Sequence, residues 1–167
     1  MVKSILVYSM GEVIGDGLIK LPFIAGLRAA FPDAWITWCA AKGETVYAGP
    51  LKPVVEGYID EIILDGVTGD RPRDILPWVR PFGGRKFDLV IDTQENLRRS
   101  AVAHRATGTF VSAARLARTK GWPVAVTDRL AKLLALASNG QGARRVGRVG
   151  MGQRQGARRG GALGRQA

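Results

Sequence analysis

The chain has 167 residues, of which 46% are hydrophobic and 23% are charged, and its formal net charge at pH 7 is +11. This length and apolar content suffice for one domain with a buried core, which is the default for a chain of this size. The single cysteine, Cys39, excludes an internal disulfide framework and a cysteine-rich metal site. Its position inside a predicted strand favours a buried structural thiol in a reducing compartment.

The positive charge is concentrated at one end. Residues 1–138 carry 18 Lys and Arg against 14 Asp and Glu, whereas residues 139–167 carry 7 Arg and no acidic residue. The second segment also contains 9 glycines and no aromatic residue, a composition that cannot form a packed core. We therefore predict a domain over residues 1–138 and a disordered Gly/Arg-rich tail over residues 139–167.

Two origins of this tail are open. Its restriction to mostly Gly, Arg, Ala, Gln and Val is typical of a GC-rich gene read out of frame, so a frameshift or truncation in place of a second domain is the first hypothesis. The alternative is a functional basic arm that binds nucleic acid or an anionic membrane surface. The tail has neither aromatic residues for base stacking nor a regular RGG repeat, so we expect no specific nucleic-acid partner.

The first predicted element is a buried strand at residues 5–7, because an uninterrupted apolar run is typical of a parallel strand covered on both faces. A glycine-rich turn follows, and Gly11, Gly15 and Gly17 let the backbone bend sharply there. The turn carries two carboxylates, Glu12 and Asp16. The segment therefore has the succession of strand, turn and helix that opens a Rossmann-like half.

A helix is predicted from about Gly17 to Phe31. Proline is tolerated in a first helical turn, so Pro22 places the start near Asp16 or Gly17. A carboxylate at that position interacts favourably with the helix dipole and the free amide groups, and it can serve as a cap, a base or both. We expect Leu18 on the buried face of this helix and Lys20 in solvent.

The rest of the chain alternates strands and helices, which predicts an α/β fold with a mostly parallel, Rossmann-like sheet and flanking helices. The predicted strands are residues 35–40, 61–64, 88–92 and 109–112. The predicted helices are residues 97–106 and residues 127–137, the latter with Thr127 as N-cap. Pro72, Pro77 and Pro81 indicate a short helix and a loop between the third and fourth strands.

Several sequence signals are absent. The glycines do not form G-x-G-x-x-G, and there is neither a P-loop nor an Asp-x-Asp motif, so we expect no nucleotide cofactor and no metal in this half. The sole histidine, His104, is interpreted as a surface or packing residue. The first apolar run is too short for a signal peptide, and none reaches the length of a membrane helix, so we expect a cytoplasmic protein.

Two blocks, ILVYSMGEVIGDGLIKLPFIAGLRAAFPDAWITW and KFDLVIDTQENLRRSAVAHR, resemble glycosyltransferase family 9, the heptosyltransferases of the lipopolysaccharide inner core. The family typically has a Gly-Asp pair, a Leu-Pro pair and an Ala-Leu-Arg helix in the first block, and a DLVIDLQGN-like run in the second. The resemblance covers roughly residues 2 to 137. This chain departs from the pattern at Glu95, where glycine is common, and in the turn Ser9 to Asp16, which is one residue longer than the commonest form.

The resemblance implies the N-terminal, acceptor-binding half of a two-domain GT-B glycosyltransferase. Such an enzyme transfers a heptose-type sugar from a nucleotide-diphosphate donor, and the donor site would lie in a second domain, so this chain alone would be inactive or nearly so. By resemblance Asp16 aligns with the catalytic general base. Glu12 is the competing candidate because the turn is longer here.

The implied acceptor is an anionic, lipid-linked sugar of the Kdo-lipid A region, presented at the inner face of the inner membrane. Basic groups would hold its carboxylates and phosphates, and polar groups at the carboxyl edge of the sheet would line the pocket. Asn96 has an equally simple reading as a helix cap. The substrate-binding candidates are Gly15, Gly17, Lys20, Gln94, Asn96, Arg98 and Arg99. The alternative function is a non-catalytic anion-binding domain whose basic tail contacts nucleic acid or a membrane surface.

Overall fold

The computed structural model of the protein describes residues 1–138. The predicted tail over residues 139–167, and with it both hypotheses about its origin, lies outside the described residues.

Five strands form one sheet in which every neighbouring pair is parallel. The order across the sheet is β3-β2-β1-β4-β5. The predicted α/β, Rossmann-like fold is therefore confirmed. The strands are β1 (Ser4–Ser9), β2 (Trp35–Ala40), β3 (Glu61–Leu64), β4 (Phe87–Asp92) and β5 (Thr107–Ser112).

Helices cover both faces of the sheet. They are α1 (Ile14–Ala30), α2 (Lys52–Val55), α3 (Leu97–His104), α4 (Ala113–Leu116) and α5 (Val126–Ala137), with short 3-10 turns at Val46–Ala48, Pro72–Ile75 and Pro81–Gly84. Alternate residues of β1 enter two separate cores, as the strand period of two requires. Ile5 and Val7 pack in the core that α1 and α5 cover, whereas Leu6 and Tyr8 pack in the core beneath α3.

The structure corrects the predicted start and face of the first helix. Helix α1 begins at Ile14, so Pro22 lies inside it and not in its first turn. Pro22 is exposed to solvent, where water can bond the carbonyl that a proline leaves without an amide partner. Leu18, expected in the core, is 50% exposed, whereas Lys20, expected in solvent, is buried.

The buried face of α1 is set by a close approach at Gly17. A Cβ on this glycine would lie 2.5 Å from the Val46 side chain and 3.0 Å from that of Leu51. Gly17 therefore faces inward, and the residue one turn later on the same face is Lys20. The predicted buried face of α1 was wrong by about one residue. Val46 and Leu51, which pack against Gly17, lie in a segment that is distant in sequence.

The other corrections are small. Helix α5 begins at Val126 with Ala125 as its N-cap residue, so Thr127 lies in the first turn and is not the cap. Asn96 is the N-cap of α3, as predicted, and its side chain accepts from the Arg98 amide. Over residues 1–138, the helices are all too short or too polar to cross a membrane.

The turn after β1 allows a direct test of the backbone packing. Gly11 has φ of +135°, and a Cβ there would lie 2.6 Å from the carbonyl oxygen of Lys42. We expect Gly11→Ala to lower the free energy of unfolding by about 3 kcal/mol, since it combines backbone strain with a backbone clash. The measurement is urea unfolding followed by circular dichroism.

Gly15→Ala is the matched control. Gly15 lies in the first turn of α1, and a Cβ there would have nothing within 4 Å. Alanine should leave stability unchanged or raise it by up to about 1 kcal/mol through its helix propensity. Equal stability of the two variants would contradict the close approach at Gly11.

Candidate active site

The turn between β1 and α1 lies at the carboxyl edge of the sheet, against the loop that follows β2. The Ala41 amide donates to Ser9 O and the Lys42 amide to Met10 O, both at 2.8 Å, and the Val46 amide donates to Glu12 O at 3.2 Å. Open α/β sheets bind their ligands outside this edge. The turn that carries both candidate carboxylates is therefore fixed at the expected place.

Glu12 is buried and fully bonded. Its Oε1 accepts hydrogen bonds from Ser9 Oγ at 2.5 Å and from Lys20 Nζ at 3.0 Å. Its Oε2 accepts from Thr45 Oγ1 at 2.5 Å and from Trp38 Nε1 at 3.3 Å. Each carboxylate oxygen thus has two donors inside the fold, which is the arrangement a buried carboxylate needs.

Lys20 links the two candidate carboxylates. Its ammonium lies 3.0 Å from Glu12 Oε1 and 3.1 Å from Asp16 Oδ2. The side chain of Lys20 is 8% exposed and that of Glu12 is fully buried, whereas the side chain of Asp16 is 43% exposed. One buried cation therefore holds a structural carboxylate on one side and a solvent-accessible carboxylate on the other.

A cleft of about 620 Å³ opens beside this turn. It lies between the residues that start α1 and the loop that follows β2, with the end of β3 at one side. Its volume is within the range of small-molecule pockets. The cleft is lined by Glu12, Val13, Ile14, Glu44, Thr45, Val46, Ala48, Gly49, Pro50 and Leu64.

Gly15 and Gly17 differ in their surroundings. Gly15 is exposed with open space where a side chain would be. Gly17 is buried, and its carbonyl accepts a hydrogen bond from Tyr47 Oη at 2.8 Å. Gly17 therefore brings α1 close to the segment after β2, and the substrate-binding roles of both glycines stay predictions.

Asp92 is the last residue of β4 and is buried at the carboxyl edge of the sheet, next to the end of β5. It accepts hydrogen bonds from Ser100 Oγ, from Ser112 Oγ at 2.9 Å and from the Gln94 amide at 2.9 Å. Burial raises the pKa of the Asp92 carboxyl to about 6, and the bonds from Ser100, Gln94 and Ser112 oppose this rise. The carboxyl ties the end of β4 to α3 and to the end of β5.

Gln94 lies where the order of strands reverses, between β1 and β4. The preceding residue, Thr93, donates from both its amide and its hydroxyl to Tyr8 O, at 3.1 and 3.0 Å. The amide of the Gln94 side chain lies 3.4 Å from Thr93 Oγ1. Gln94 itself is partly exposed. It lies at the switch point of the sheet, which is the usual ligand position in such folds.

The two predicted arginines have different environments. Arg99 donates from Nε and Nη2 to the two carboxylate oxygens of Asp70, at 3.1 and 3.3 Å. This contact lowers the pKa of the Asp70 carboxyl. Arg98 has an exposed side chain at the start of α3. An anion would therefore compete with Asp70 for Arg99 but not for Arg98.

Glu95, the departure from the family pattern, has a structural role. Its carboxylate accepts from Arg129 Nη1 at 2.6 Å and from Trp122 Nε1 at 3.2 Å. It therefore connects the loop after β4 to α5. Trp38 and Thr45, which hold Glu12, were not singled out from the sequence, because nothing local connects Glu12 to a threonine 33 residues away.

We expect Lys20→Met to lower the free energy of unfolding by roughly 3 to 5 kcal/mol, because it leaves the Glu12 carboxylate buried without its cation. Urea unfolding measures this loss, with Lys52→Met as the control. Lys52 is exposed on α2, so its replacement should change stability by less than about 0.5 kcal/mol. The ion pair would be refuted as a structural element if the two variants were equally stable.

Asp92 predicts a pH dependence. Its pKa in the folded chain is about 6 against an ordinary value of 3.8, so the folded state binds more protons than the unfolded state between these values. Stability should therefore fall as pH rises through this window. Urea unfolding of the wild type and Asp92→Asn from pH 4 to 7 should show the difference between them changing by roughly 2 to 3 kcal/mol. A difference that stays constant with pH would contradict the raised pKa.

Neither protein-family models nor curated protein sequences give a match to this chain. Two solved structures are similar to it. A glycosyltransferase of family 9 from Veillonella parvula DSM 2008 matches with a TM-score of 0.56 and 19% identity over 81% of this chain and 41% of that chain. E. coli heptosyltransferase WaaC with ADP matches with a TM-score of 0.42 and 16% identity over 80% of this chain and 47% of that one.

The chain thus spans less than half the length of either neighbour. The first similarity agrees with the resemblance seen in the two sequence blocks, and it concerns the fold, since the identity is low. The chain therefore has a fold similar to part of a family 9 glycosyltransferase.

Proposed function

We propose that this chain is the acceptor-binding half of a glycosyltransferase that transfers a heptose-type sugar from a nucleotide-diphosphate donor to the lipopolysaccharide inner core. The observation that carries the proposal is the carboxylate of Asp16 in the first turn of α1, 43% exposed and 3.1 Å from a buried ammonium. It lies at the edge where α/β folds bind ligands, on a fold similar to that of a family 9 enzyme.

Inverting transfer needs a base in a fixed position. An acceptor hydroxyl attacks the anomeric carbon of the donor sugar while the nucleotide diphosphate leaves from the opposite face with the electrons of the broken C–O bond. Asp16 would take the hydroxyl proton as the new bond forms. A helix start and an ion pair hold the carboxylate in place, and such positioning lowers the entropic part of the barrier.

The surroundings of Glu12 favour Asp16 over it as the base. Both oxygens of Glu12 are already bonded, to Ser9, Lys20, Trp38 and Thr45. To accept a proton from a substrate, Glu12 would have to break one of these buried bonds, which costs free energy. Asp16 has one oxygen on Lys20 and an exposed side chain, so an acceptor reaches it without any such loss.

The proposed acceptor is anionic. Some of the candidate residues are suited to contact it, and others are suited to hold Asp16 in position. Arg98 is exposed and suited to a carboxylate or phosphate. Gln94 offers a neutral amide at the switch point of the sheet, and Arg99 is held by Asp70. Lys20 is buried beneath two carboxylates, which supports a role in positioning Asp16 over direct contact with the acceptor.

The donor site is proposed to lie in the part of a full-length enzyme that this chain does not span. The chain corresponds to 41% of the length of the family 9 structure. We therefore propose that the 167-residue chain does not turn over alone. A lipid-linked acceptor would also bring the enzyme to the inner face of the inner membrane as a peripheral, cytoplasmic protein.

A non-catalytic anion-binding domain is the second candidate, favoured by the net charge of +11 and by the 7 arginines of residues 139–167. The two candidates differ in how binding depends on that segment. Removing residues 139–167 should leave acceptor binding intact under the first proposal. Under the second, it should abolish binding together with its salt dependence.

Acceptor binding by the full chain is the direct test, with a deacylated Kdo-lipid A fragment as the ligand in calorimetry at fixed ionic strength. We expect Arg98→Gln to weaken binding by about tenfold, through loss of a charge-assisted hydrogen bond. The control is Arg118→Gln, which removes an exposed charge from the loop after α4. Asp16→Asn should bind nearly as the wild type does, because a base acts in the transition state. Lack of binding by the wild-type chain would refute the proposal.

The catalytic role needs the complete enzyme. Translation of the coding DNA from about codon 130 in all three forward frames would show whether a second Rossmann-like domain is encoded. In a protein with that domain, Asp16→Asn should lower kcat by about 10²- to 10⁴-fold with little change in KM. Full activity in this variant, with loss in Glu12→Gln, would transfer the role of base to Glu12.

A further inference from the structure

A second cleft lies at the opposite, amino edge of the sheet. It has a volume of about 290 Å³, and four of its eight lining residues are cations: Arg80, Arg85, Lys86 and Arg105. None of the described residues that line it is acidic. Lys86 directly precedes β4, and Arg105 lies just before β5. Because parallel strands all begin at the same edge, this cleft is separate from the carboxyl-edge site.

Two of the four cations are held by neutral groups. Arg105 donates from Nη1 to Leu76 O at 3.0 Å and from Nη2 to Pro77 O at 2.8 Å. Lys86 donates from Nζ to the carbonyl oxygen of Arg105 at 2.5 Å. Backbone carbonyls fix these side chains in place but leave their full positive charge uncompensated.

The remaining two cations differ. Arg85 is paired with Glu61 through two hydrogen bonds of 2.7 and 2.8 Å. Arg80 has an exposed side chain, and its stem packs against Gly84, where a Cβ would lie 3.4 Å from Arg80 Cδ. No hydrogen bond or ion pair joins the Arg80 guanidinium to the described residues. Three uncompensated positive charges therefore converge on one cleft.

Like charges that line one cleft repel each other and lower the stability of the fold. An anion small enough to enter the cleft would offset this repulsion between the cations. Because hydrogen bonds already order Arg105 and Lys86, an anion that binds there immobilises few additional side chains, and preordering of this kind increases affinity. The arrangement suits a tetrahedral anion with several acceptor oxygens, since the Arg80 fork and the remaining N–H donors of the Lys86 ammonium match phosphate and Arg105 adds a fixed positive charge.

We propose that the cleft formed by Arg80, Lys86 and Arg105 binds a phosphate group. The ligand is either a soluble phosphate ester or the phosphate of a lipid headgroup, which present the same oxygens to the same cations. This site lies at the amino edge of the sheet, whereas Asp16 lies at the carboxyl edge. The proposal therefore does not depend on the proposed glycosyl transfer.

The test is a titration of the full chain with inorganic phosphate at constant ionic strength, followed by the NMR amide signals of Gly84 and Lys86. Saturable shifts are expected with phosphate and not with chloride. Arg80→Gln and Lys86→Gln should each weaken phosphate binding by about tenfold. Arg118→Gln is the matched control, because it removes the same charge outside the cleft and leaves binding within about twofold.

The comparison between variants removes the contribution of the arginines in residues 139–167, which all variants share. The proposal is overturned if phosphate and chloride shift the two amides equally, or if Arg80→Gln and Arg118→Gln have the same effect. Co-sedimentation with phosphatidylglycerol vesicles then identifies the source of the phosphate. A greater loss of vesicle binding by Arg80→Gln than by Arg118→Gln assigns a lipid headgroup, and equal vesicle binding assigns a soluble ester.

Discussion

The arrangement of the carboxyl edge depends on one buried ion pair, between Lys20 and Glu12. A lysine ammonium and a carboxylate are costly to remove from water, and the cost is offset only where further hydrogen bonds complete both groups. Ser9, Trp38 and Thr45 complete Glu12, and Asp16 completes Lys20. The pair therefore joins the end of β1, the start of α1, the middle of β2 and the loop after β2. Loss of any one of these contacts removes a hydrogen bond or a charge partner from a buried ionised group.

This ion pair also explains the orientation of α1. Lys20 and Gly17 are one turn apart, so both face the sheet, where Gly17 admits Val46 and Lys20 reaches Glu12. Leu18 is then turned to solvent despite its apolar side chain. Exposing half of a leucine side chain costs less free energy than leaving the Glu12 carboxylate buried and unpaired. The ion pair and the close approach at Gly17 thus together override the hydrophobic pattern at the start of this helix.

The sequence predicted the features that local patterns determine. An uninterrupted apolar run located β1, and the alternation of strand-like and helix-like segments located the other four strands. Asn96 was identified as a cap because a cap side chain bonds an amide in the first turn of the helix. The burial of Lys20 and the partners of Glu12 were missed, since they depend on Trp38 and Thr45, which are distant in sequence. Helix α5 begins at Val126, one residue before its predicted start. Arg129 in that helix is held by Glu95 and by Pro123 O, contacts that no capping preference reveals.

Glu12 and Asp16, the two carboxylates between the end of β1 and the first turn of α1, have different environments. Glu12 gives all its hydrogen-bonding capacity to the protein, and in return it fixes the ammonium of Lys20. That ammonium then limits the freedom of Asp16, whose carboxylate keeps its exposure to solvent. A carboxylate on a glycine-rich turn would otherwise sample many positions, and in the proposed reaction the entropy of fixing it would be added to the barrier. Glu12 therefore orders Asp16 through a cation that the two carboxylates share.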